Sequence, residues 1–284
     1  MRSDGRLSQR VSTLAKCSGD DAGRVEAGPL ARLARYWPRR VAAADPLAAA
    51  LVDHHRTGRP RRVVATRADG ASFEIETEEY FTLEGRLAEL DQIALDRCRG
   101  RVLDVGAGAG RHARALAARG LEVVAIDVSP LAVSLCRGRG VGDARILDVM
   151  EIDSESGLGQ FDTLFFGMQT IGVAGGVETL RRLLERLKSV LAPGGELVVD
   201  SSELREAWQG DEADTRPTRG EIVLSTRYRG WRGEPFAWLY LSEQDLRSVA
   251  SEAGFGMETL GRVERGEYLA ALRLETCGPS RSHG

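Results

Sequence analysis

The chain has 284 residues, 42% of them hydrophobic, which is enough to bury one large core. Its formal net charge of -3 gives no overall attraction to phosphate backbones or anionic membranes, so neither nucleic acid nor a membrane is expected as a partner. Cys17, Cys98, Cys136 and Cys277 are far apart and form no CxxC pair, which argues against a zinc cluster or a disulfide framework and fits a reducing cytoplasm.

The N-terminal third is predicted to precede the main domain as an arm and a cap. Residues 1–28 are polar and without sustained periodicity, which indicates a mobile arm. Residues 29–98 read as short helical pieces around a hairpin, with strands Arg62–Arg67 and Ser72–Glu76 joined across Asp69-Gly70. The longest apolar stretch, residues 41–52, is interrupted by Asp45 and Pro46 and is too short for a membrane span, so a cytoplasmic location is expected.

Residues 99–284 are predicted to form the catalytic domain. Strand-like and helix-like segments alternate in its first half, which predicts a parallel sheet with helices on both faces. The strand-like segments are residues 101–105, 121–127, 144–148, 163–168 and 196–200, and the helix-like segments are residues 109–119, 130–137 and 179–191.

The end of the chain contains an insertion and a final hairpin. Two strand-like runs, residues 221–228 and 236–241, belong to an insertion over residues 203–241 that is expected to stand above the sheet. A helix over residues 242–253 then leads to strands at 257–263 and 268–275, which would complete the sheet as an antiparallel pair.

A strand that runs into alternating glycines is the strongest motif, Val102-Leu103-Asp104-Val105-Gly106-Ala107-Gly108-Ala109-Gly110. Glycines at such a turn let the backbone bend tightly and approach a ligand closely. A glycine loop alone is equally typical of a tight turn without a ligand, so its neighbours decide the interpretation. Asp127 ends the next strand, where a carboxylate can accept both hydroxyls of a ribose, and Asp148 ends the third strand, where it can face an adenine amino group.

Together with Phe161-Asp162 and Leu191-Ala192-Pro193-Gly194-Gly195, these motifs resemble those of class I S-adenosylmethionine-dependent methyltransferases. The resemblance implies an α/β fold, a doubly wound, mostly parallel seven-stranded Rossmann-like sheet, with the insertion after its fifth strand. It also implies S-adenosylmethionine as cofactor and S-adenosylhomocysteine as product. The cofactor-binding residues that it implies are Asp104, Gly106, Ala107, Gly108, Gly110, Arg111, Asp127, Val128, Asp148, Val149 and Met168.

For two of these residues, Asp104 and Arg111, the sequence leaves two interpretations open. Asp104 lies inside the first strand, where a buried carboxylate needs loop N–H groups or the ammonium of an amino-acid cofactor as partners. Arg111 could pair with the cofactor carboxylate, or it could be an exposed arginine at a helix start.

Transfer of an activated methyl group needs an acceptor held in line and shielded from water, without a covalent nucleophile. Tyr80 and Gln169 are the candidate catalytic residues, on elements expected above the sheet. Residues 163–168 lack the Asn/Asp-Pro-Pro-Tyr/Phe motif that resembles nucleobase amine methylation, and the acidic set that resembles magnesium-dependent methylation is not evident. We expect metal-free transfer to oxygen or nitrogen of a small molecule or modified peptide.

Two other classes of function remain open at this stage. A nicotinamide-dependent oxidoreductase shares the strand, the glycine loop and the acidic strand end, but Gly106-x-Gly108-x-Gly110 departs from G-x-G-x-x-G spacing. A regulatory protein that binds S-adenosylmethionine without catalysis would carry the same loop. The sequence does not indicate the oligomeric state.

Overall fold

Two β-sheets organise the part of the chain that the structure describes. The computed structural model describes residues 39–85, 88–203, 220–263 and 266–275. The predicted arm, residues 1–28, and residues 204–219 of the insertion lie outside these ranges. The division into cap and catalytic domain at residue 98 stays a prediction.

The larger sheet has seven strands and forms the centre of the described fold. Its members in chain order are β3 (Arg101–Val105), β4 (Glu122–Asp127), β5 (Asp143–Ile146), β6 (Phe161–Phe166), β7 (Leu191–Ser202), β11 (Phe255–Arg262) and β12 (Glu267–Leu274). Their order across the sheet is β11-β12-β7-β6-β3-β4-β5. Strands β3 to β7 pair in parallel, and β12 pairs antiparallel with β7 and β11. The predicted sheet and its terminal antiparallel pair are confirmed.

Helices cover both faces of this sheet, which explains why its central strands are almost continuously apolar. They are α2 (Ala88–Arg97), α3 (Arg111–Ala118), α4 (Pro130–Gly138), α5 (Val177–Leu187) and α6 (Glu243–Glu252). On one face Leu90 and Leu116 pack against Val102 and Phe165. On the other face the leucines of α5 pack against Leu103.

The helix predicted over residues 179–191 is shorter in the structure. Helix α5 buries its stripe of Leu180, Leu183, Leu184 and Leu187 completely. A tight turn, Lys188–Val190, then ends it, and Leu191 already belongs to strand β7. Leu191 is buried as expected, but as a strand residue paired with Phe161, so the helical periodicity extended one turn too far.

The second sheet joins the predicted cap to the predicted insertion. Its strands are β1 (Arg62–Arg67), β2 (Ser72–Glu76), β8 (Glu221–Tyr228), β9 (Trp231–Arg232) and β10 (Phe236–Leu239). Strand β8 pairs antiparallel with β1, so the order is β10-β8-β1-β2, with β9 pairing β8. We call this second sheet the cap sheet. The hairpin and the insertion therefore form one structural element.

Helix α1 (Arg39–Thr57) packs on the cap sheet through a buried carboxylate. Asp53 of α1 accepts a hydrogen bond from the Tyr228 hydroxyl at 2.5 Å and another from Arg61 Nε at 2.8 Å. These hydrogen bonds lower the pKa of Asp53 to about 2, against the opposing effect of its burial.

Among the described residues, none of the helices is long and apolar enough to cross a membrane.

Candidate functional site

The glycine loop connects β3 to α3 at the carboxyl edge of the large sheet. Gly106, Gly108 and Gly110 have φ angles of 68°, 55° and 74°, a region that only glycine enters without steric cost. The N–H groups of Gly106 and Ala107 donate to the carbonyl oxygen of Ile126 in β4, at 2.9 and 3.0 Å. The loop is thus tied to the neighbouring strand while its backbone faces the edge where parallel sheets bind ligands.

Close packing around the loop adds a second requirement for glycine. A Cβ atom on Gly106 would lie 2.6 Å from Cγ2 of Thr170, and one on Gly110 would lie 2.9 Å from Cγ2 of Val141. A Cβ on Gly108 would lie 3.3 Å from Cδ1 of Tyr80. The loop is therefore held between the turn that contains Thr170 and the ring of Tyr80.

The carboxylate of Asp127 is oriented by two backbone donors at the end of β4. Its Oδ2 accepts from the N–H of Gly108 at 3.0 Å and its Oδ1 accepts from the N–H of Ser129 at 2.8 Å. Burial raises the pKa of Asp127, and these two N–H groups lower it. The residue and its neighbour Val128 are both half-buried. This places an oriented acceptor beside the glycine loop.

Asp148 and Val149 lie beyond the end of β5. The Asp148 carboxylate accepts from the N–H of Met150 at 2.9 Å and so caps the short turn Val149–Glu151. Asp148 is half-buried and Val149 is buried. The structure thus places a carboxylate and an apolar side chain next to each other, at the same edge of the sheet as Asp127.

Asp104 finds its partner in the helix that follows the loop. Its Oδ2 accepts from the N–H of Ala113 in α3 at 3.0 Å, so a helix N–H is a hydrogen-bond partner of this buried carboxylate. Burial raises the pKa of Asp104 to about 7, and nearby Arg111 opposes this shift.

We expect Asp104→Asn to change the pH dependence of folding stability. The folded-state pKa is raised from 3.8 to about 7. Burial of the neutral Asp104 side chain therefore stabilises the fold fully below about pH 4, and this stabilisation is lost as the pH rises through 7. Asparagine stays neutral and keeps an acceptor for Ala113. Between pH 5 and pH 8, wild type should lose on the order of 3 kcal/mol relative to the variant. Urea unfolding at both pH values measures this, and parallel profiles would contradict it.

A buried charged cluster lies beneath the loop, between α2 and α3. The Asp91 carboxylate accepts from Arg111 Nη2 at 3.0 Å and from His112 Nε2 at 2.8 Å, and Arg111 Nη1 donates to the carbonyl oxygen of Thr82 at 2.7 Å. Arg111 is only 7% exposed, which excludes the exposed-arginine alternative. Its Nε has no hydrogen-bond partner among the described residues. A buried, unsatisfied guanidinium donor is costly and points to a ligand that accepts from it.

The two catalytic candidates lie on either side of the glycine loop. Tyr80 contacts the loop at Gly108, and burial raises the pKa of its phenol. Gln169 directly precedes Thr170, which contacts the loop at Gly106. Gln169 Nε2 donates to Ser202 Oγ at 3.1 Å. Met168 and Gln169 both have positive φ angles, 56° and 60°.

Sequence reasoning missed two residues of this site. Asp91 gave no signal, because it is an isolated polar residue whose partners, Arg111 and His112, lie far away in the chain. Asp200 was noted only as the end of a predicted strand. The same strand end that singled out Asp127 would have been the signal for Asp200, since both follow an apolar run. Among the described residues, no group of His, Cys, Asp and Glu is arranged to hold a metal ion.

Comparisons with known proteins point to one chemistry. A protein-family model described as a methyltransferase domain matches residues 102–195. The chain is 28% identical over 184 residues to a malonyl-[acyl-carrier protein] O-methyltransferase of Salmonella typhimurium. This match covers 61% of this chain and 71% of that protein. It is 35% identical over 103 residues to a demethylmenaquinone methyltransferase of Clavibacter sepedonicus, covering 35% of this chain and 40% of that protein.

A solved structure extends the likeness over most of the described fold. The S-adenosylmethionine-dependent methyltransferase of Bacteroides fragilis, in complex with S-adenosyl-L-homocysteine, matches with a TM-score of 0.75 and 34% sequence identity. The match covers 83% of this chain and 97% of that chain. Neither the nicotinamide nor the non-catalytic alternative is retained. The chain belongs to the class I S-adenosylmethionine-dependent methyltransferases, enzymes that use S-adenosylmethionine as methyl donor and release S-adenosylhomocysteine.

Proposed function

We propose that the carboxyl edge of β3, β4 and β5 holds the cofactor in this chain, through the residues that the sequence motifs indicate. In this proposal Gly106, Ala107 and Gly108 contact the cofactor and Asp127 with Val128 receives its ribose. Asp148 and Val149 face its adenine. The observation that carries the proposal is the orientation of the Asp127 carboxylate, which two backbone N–H groups hold beside the glycine loop. Among the described residues, this is the only loop with three glycines in the left-handed conformation.

The charged groups of the site fit the amino-acid half of the cofactor. Arg111 is buried, is already anchored by Asp91 and Thr82, and has an unsatisfied Nε donor that a carboxylate could accept from. Burial raises the pKa of Asp104, and a nearby cation such as an ammonium group would stabilise its charged form. Met168 lies two residues after the end of β6, next to the turn that contacts Gly106. A zwitterion therefore matches the polarity of these buried groups.

We assign the methyl acceptor to the space between this edge and the cap sheet. The ring of Trp238 in β10 lies against Gly172, where a Cβ would come within 2.6 Å of its Nε1. Phe236 lies edge-on to Trp238, with ring centroids 6.1 Å apart, and both rings are half-buried. A half-buried aromatic surface above a cofactor edge suits a small organic molecule or a modified peptide. The relative named for O-methylation is consistent with an oxygen acceptor.

The chemistry proposed is in-line displacement at oxygen or nitrogen without a metal. The cofactor supplies a methyl group already activated by its sulfonium, so the chain has to orient the acceptor and exclude water. The phenol of Tyr80 is protonated at neutral pH, and burial raises its pKa further, so it can donate a hydrogen bond rather than remove a proton. Gln169 would position an acceptor beside Met168.

We expect S-adenosylhomocysteine release to depend on an added acceptor and not on a metal. The test incubates the protein with S-adenosylmethionine and separate panels of carboxylic acids, phenols, amines and short peptides, and measures S-adenosylhomocysteine. Turnover with an oxygen or nitrogen nucleophile should change less than about twofold in EDTA, because the sulfonium of the cofactor already activates the methyl group. The Asp127→Ala variant serves as the background control. Turnover that requires Mg²⁺, or transfer only to carbon acceptors, would overturn the proposed chemistry.

A further inference from the structure

Two consecutive residues of the loop after β6 adopt a conformation that side chains disfavour. Met168 and Gln169 have φ angles of 56° and 60°, and neither is glycine. The left-handed region is strained for residues with long side chains, so such pairs persist only where surrounding contacts hold them. Strain of this kind is concentrated at functional sites. The contacts that hold this pair therefore identify residues on which the site depends.

The holding contacts come from the end of β7. The N–H of Gln169 donates to Asp200 Oδ1 at 2.6 Å, and the backbone of Met168 is near enough to this carboxylate to lower its pKa. Gln169 Nε2 adds a contact to Ser202 Oγ at 3.1 Å, so two residues of one strand fix the loop.

Asp200 is well placed to act as a rigid anchor. It is 6% exposed and lies in a strand that is paired on both sides, with Leu269 of β12 opposite it. Burial raises the pKa of Asp200 to about 7; Asp91 of α2 also raises it, and Arg111 of α3 lowers it. The same Arg111 is the proposed partner of the cofactor carboxylate, so Asp200 lies within the electrostatic range of the site.

We propose that Asp200 is a positioning residue, whose carboxylate holds Met168 and Gln169 in the left-handed conformation that the cofactor and acceptor sites require. The inference rests on the proposed function, since it is that proposal that places Met168 beside the cofactor. Asp200 touches neither substrate in this scheme and acts through the backbone N–H of Gln169. An asparagine in its place has one acceptor oxygen and lacks the charge that strengthens this hydrogen bond above the Asp200 pKa of about 7.

The test compares S-adenosylhomocysteine binding by calorimetry in the full chain. Asp200→Asn should bind at least tenfold more weakly than wild type. Adding Gln169→Gly to Asp200→Asn should recover at least threefold of this loss, because glycine adopts the left-handed conformation without strain. A residue with a merely structural role would lower the melting temperature without being rescued by glycine. Equal affinity of Asp200→Asn and wild type, or a loss that glycine does not reduce, would overturn the inference.

A second pair of variants covers the case in which Asp200→Asn does not fold. Gln169→Pro removes the N–H donor and excludes a positive φ, whereas Gln169→Gly keeps the N–H donor and adopts a positive φ without strain. Both lose the same side-chain contact to Ser202. The proline variant should bind S-adenosylhomocysteine at least tenfold more weakly than the glycine variant, and equal affinities would contradict the inference. Failure of the wild type to bind would instead overturn the proposed cofactor site itself.

Discussion

Asp127→Ala should weaken the binding of S-adenosylmethionine and S-adenosylhomocysteine by about a hundredfold or more. The proposed site gives this carboxylate both ribose hydroxyls, and hydrogen bonds to a charged acceptor contribute about 1.5–3 kcal/mol each. The variant also leaves the N–H groups of Gly108 and Ser129 without the acceptor that now orients the loop. Calorimetric titration of both compounds into wild type and variant measures the loss.

Asp143→Ala is the control for this substitution. Asp143 begins β5 at the opposite edge of the sheet and pairs with Arg145 on the surface. Its removal should leave both affinities within about twofold of wild type, because this partly exposed ion pair lies at the start of β5, away from the carboxyl edge of the sheet. If Asp127→Ala bound either compound as tightly as Asp143→Ala does, the ribose would have to lie elsewhere.

Asp91→Ala should be the most destabilising single substitution among the charged residues discussed, by about 3–5 kcal/mol. It removes the anion from a buried cluster and leaves Arg111 as a buried charge without its carboxylate, together with the Nε2 donor of His112. Burial lowers the pKa of His112, so the imidazole is neutral at pH 7 and does not add to the charge. Urea unfolding at pH 7 provides the free energy of unfolding of each protein.

Asp96→Ala on the same helix provides the comparison. Asp96 pairs with Arg119 at 3.0 Å, but its side chain is 64% exposed, so the expected cost is at most about 1 kcal/mol. The difference between the two variants isolates the effect of burial, because both remove one carboxylate from α2. Similar losses in the two variants would show that the Asp91 cluster does not stabilise the fold as the structure indicates.

The parts of the fold that the sequence predicts are those with a local signal. The strands of the large sheet are apolar runs bounded by glycine or aspartate, and Asp127 and Asp148 follow directly from such boundaries. Side-chain periodicity and turn residues act over only a few positions, which is why these elements agree closely with the prediction. The end of α5 shows the limit, since Leu191 continues the leucine spacing but lies in a strand.

The parts that depend on distant pairing could not be predicted in the same way. Nothing local in β1 indicates that it will pair with β8, although the register joins Val64 to Arg227. The buried position of Arg111 likewise depends on Asp91 from another helix, and the N–H of Gln169 donates to Asp200 of a distant strand. Local sequence patterns therefore indicate the glycine loop and the strand-end carboxylates, but not the contacts that pack around them.

The most direct test of the cofactor site is titration of the wild-type chain with S-adenosylhomocysteine, followed by NADH as a comparison ligand, in a calorimeter. We expect saturable binding of S-adenosylhomocysteine with a stoichiometry of about one and no saturable heat with NADH, because in the proposed site Arg111 donates to an amino-acid carboxylate, which NADH lacks. Binding of NADH without binding of S-adenosylhomocysteine would contradict it.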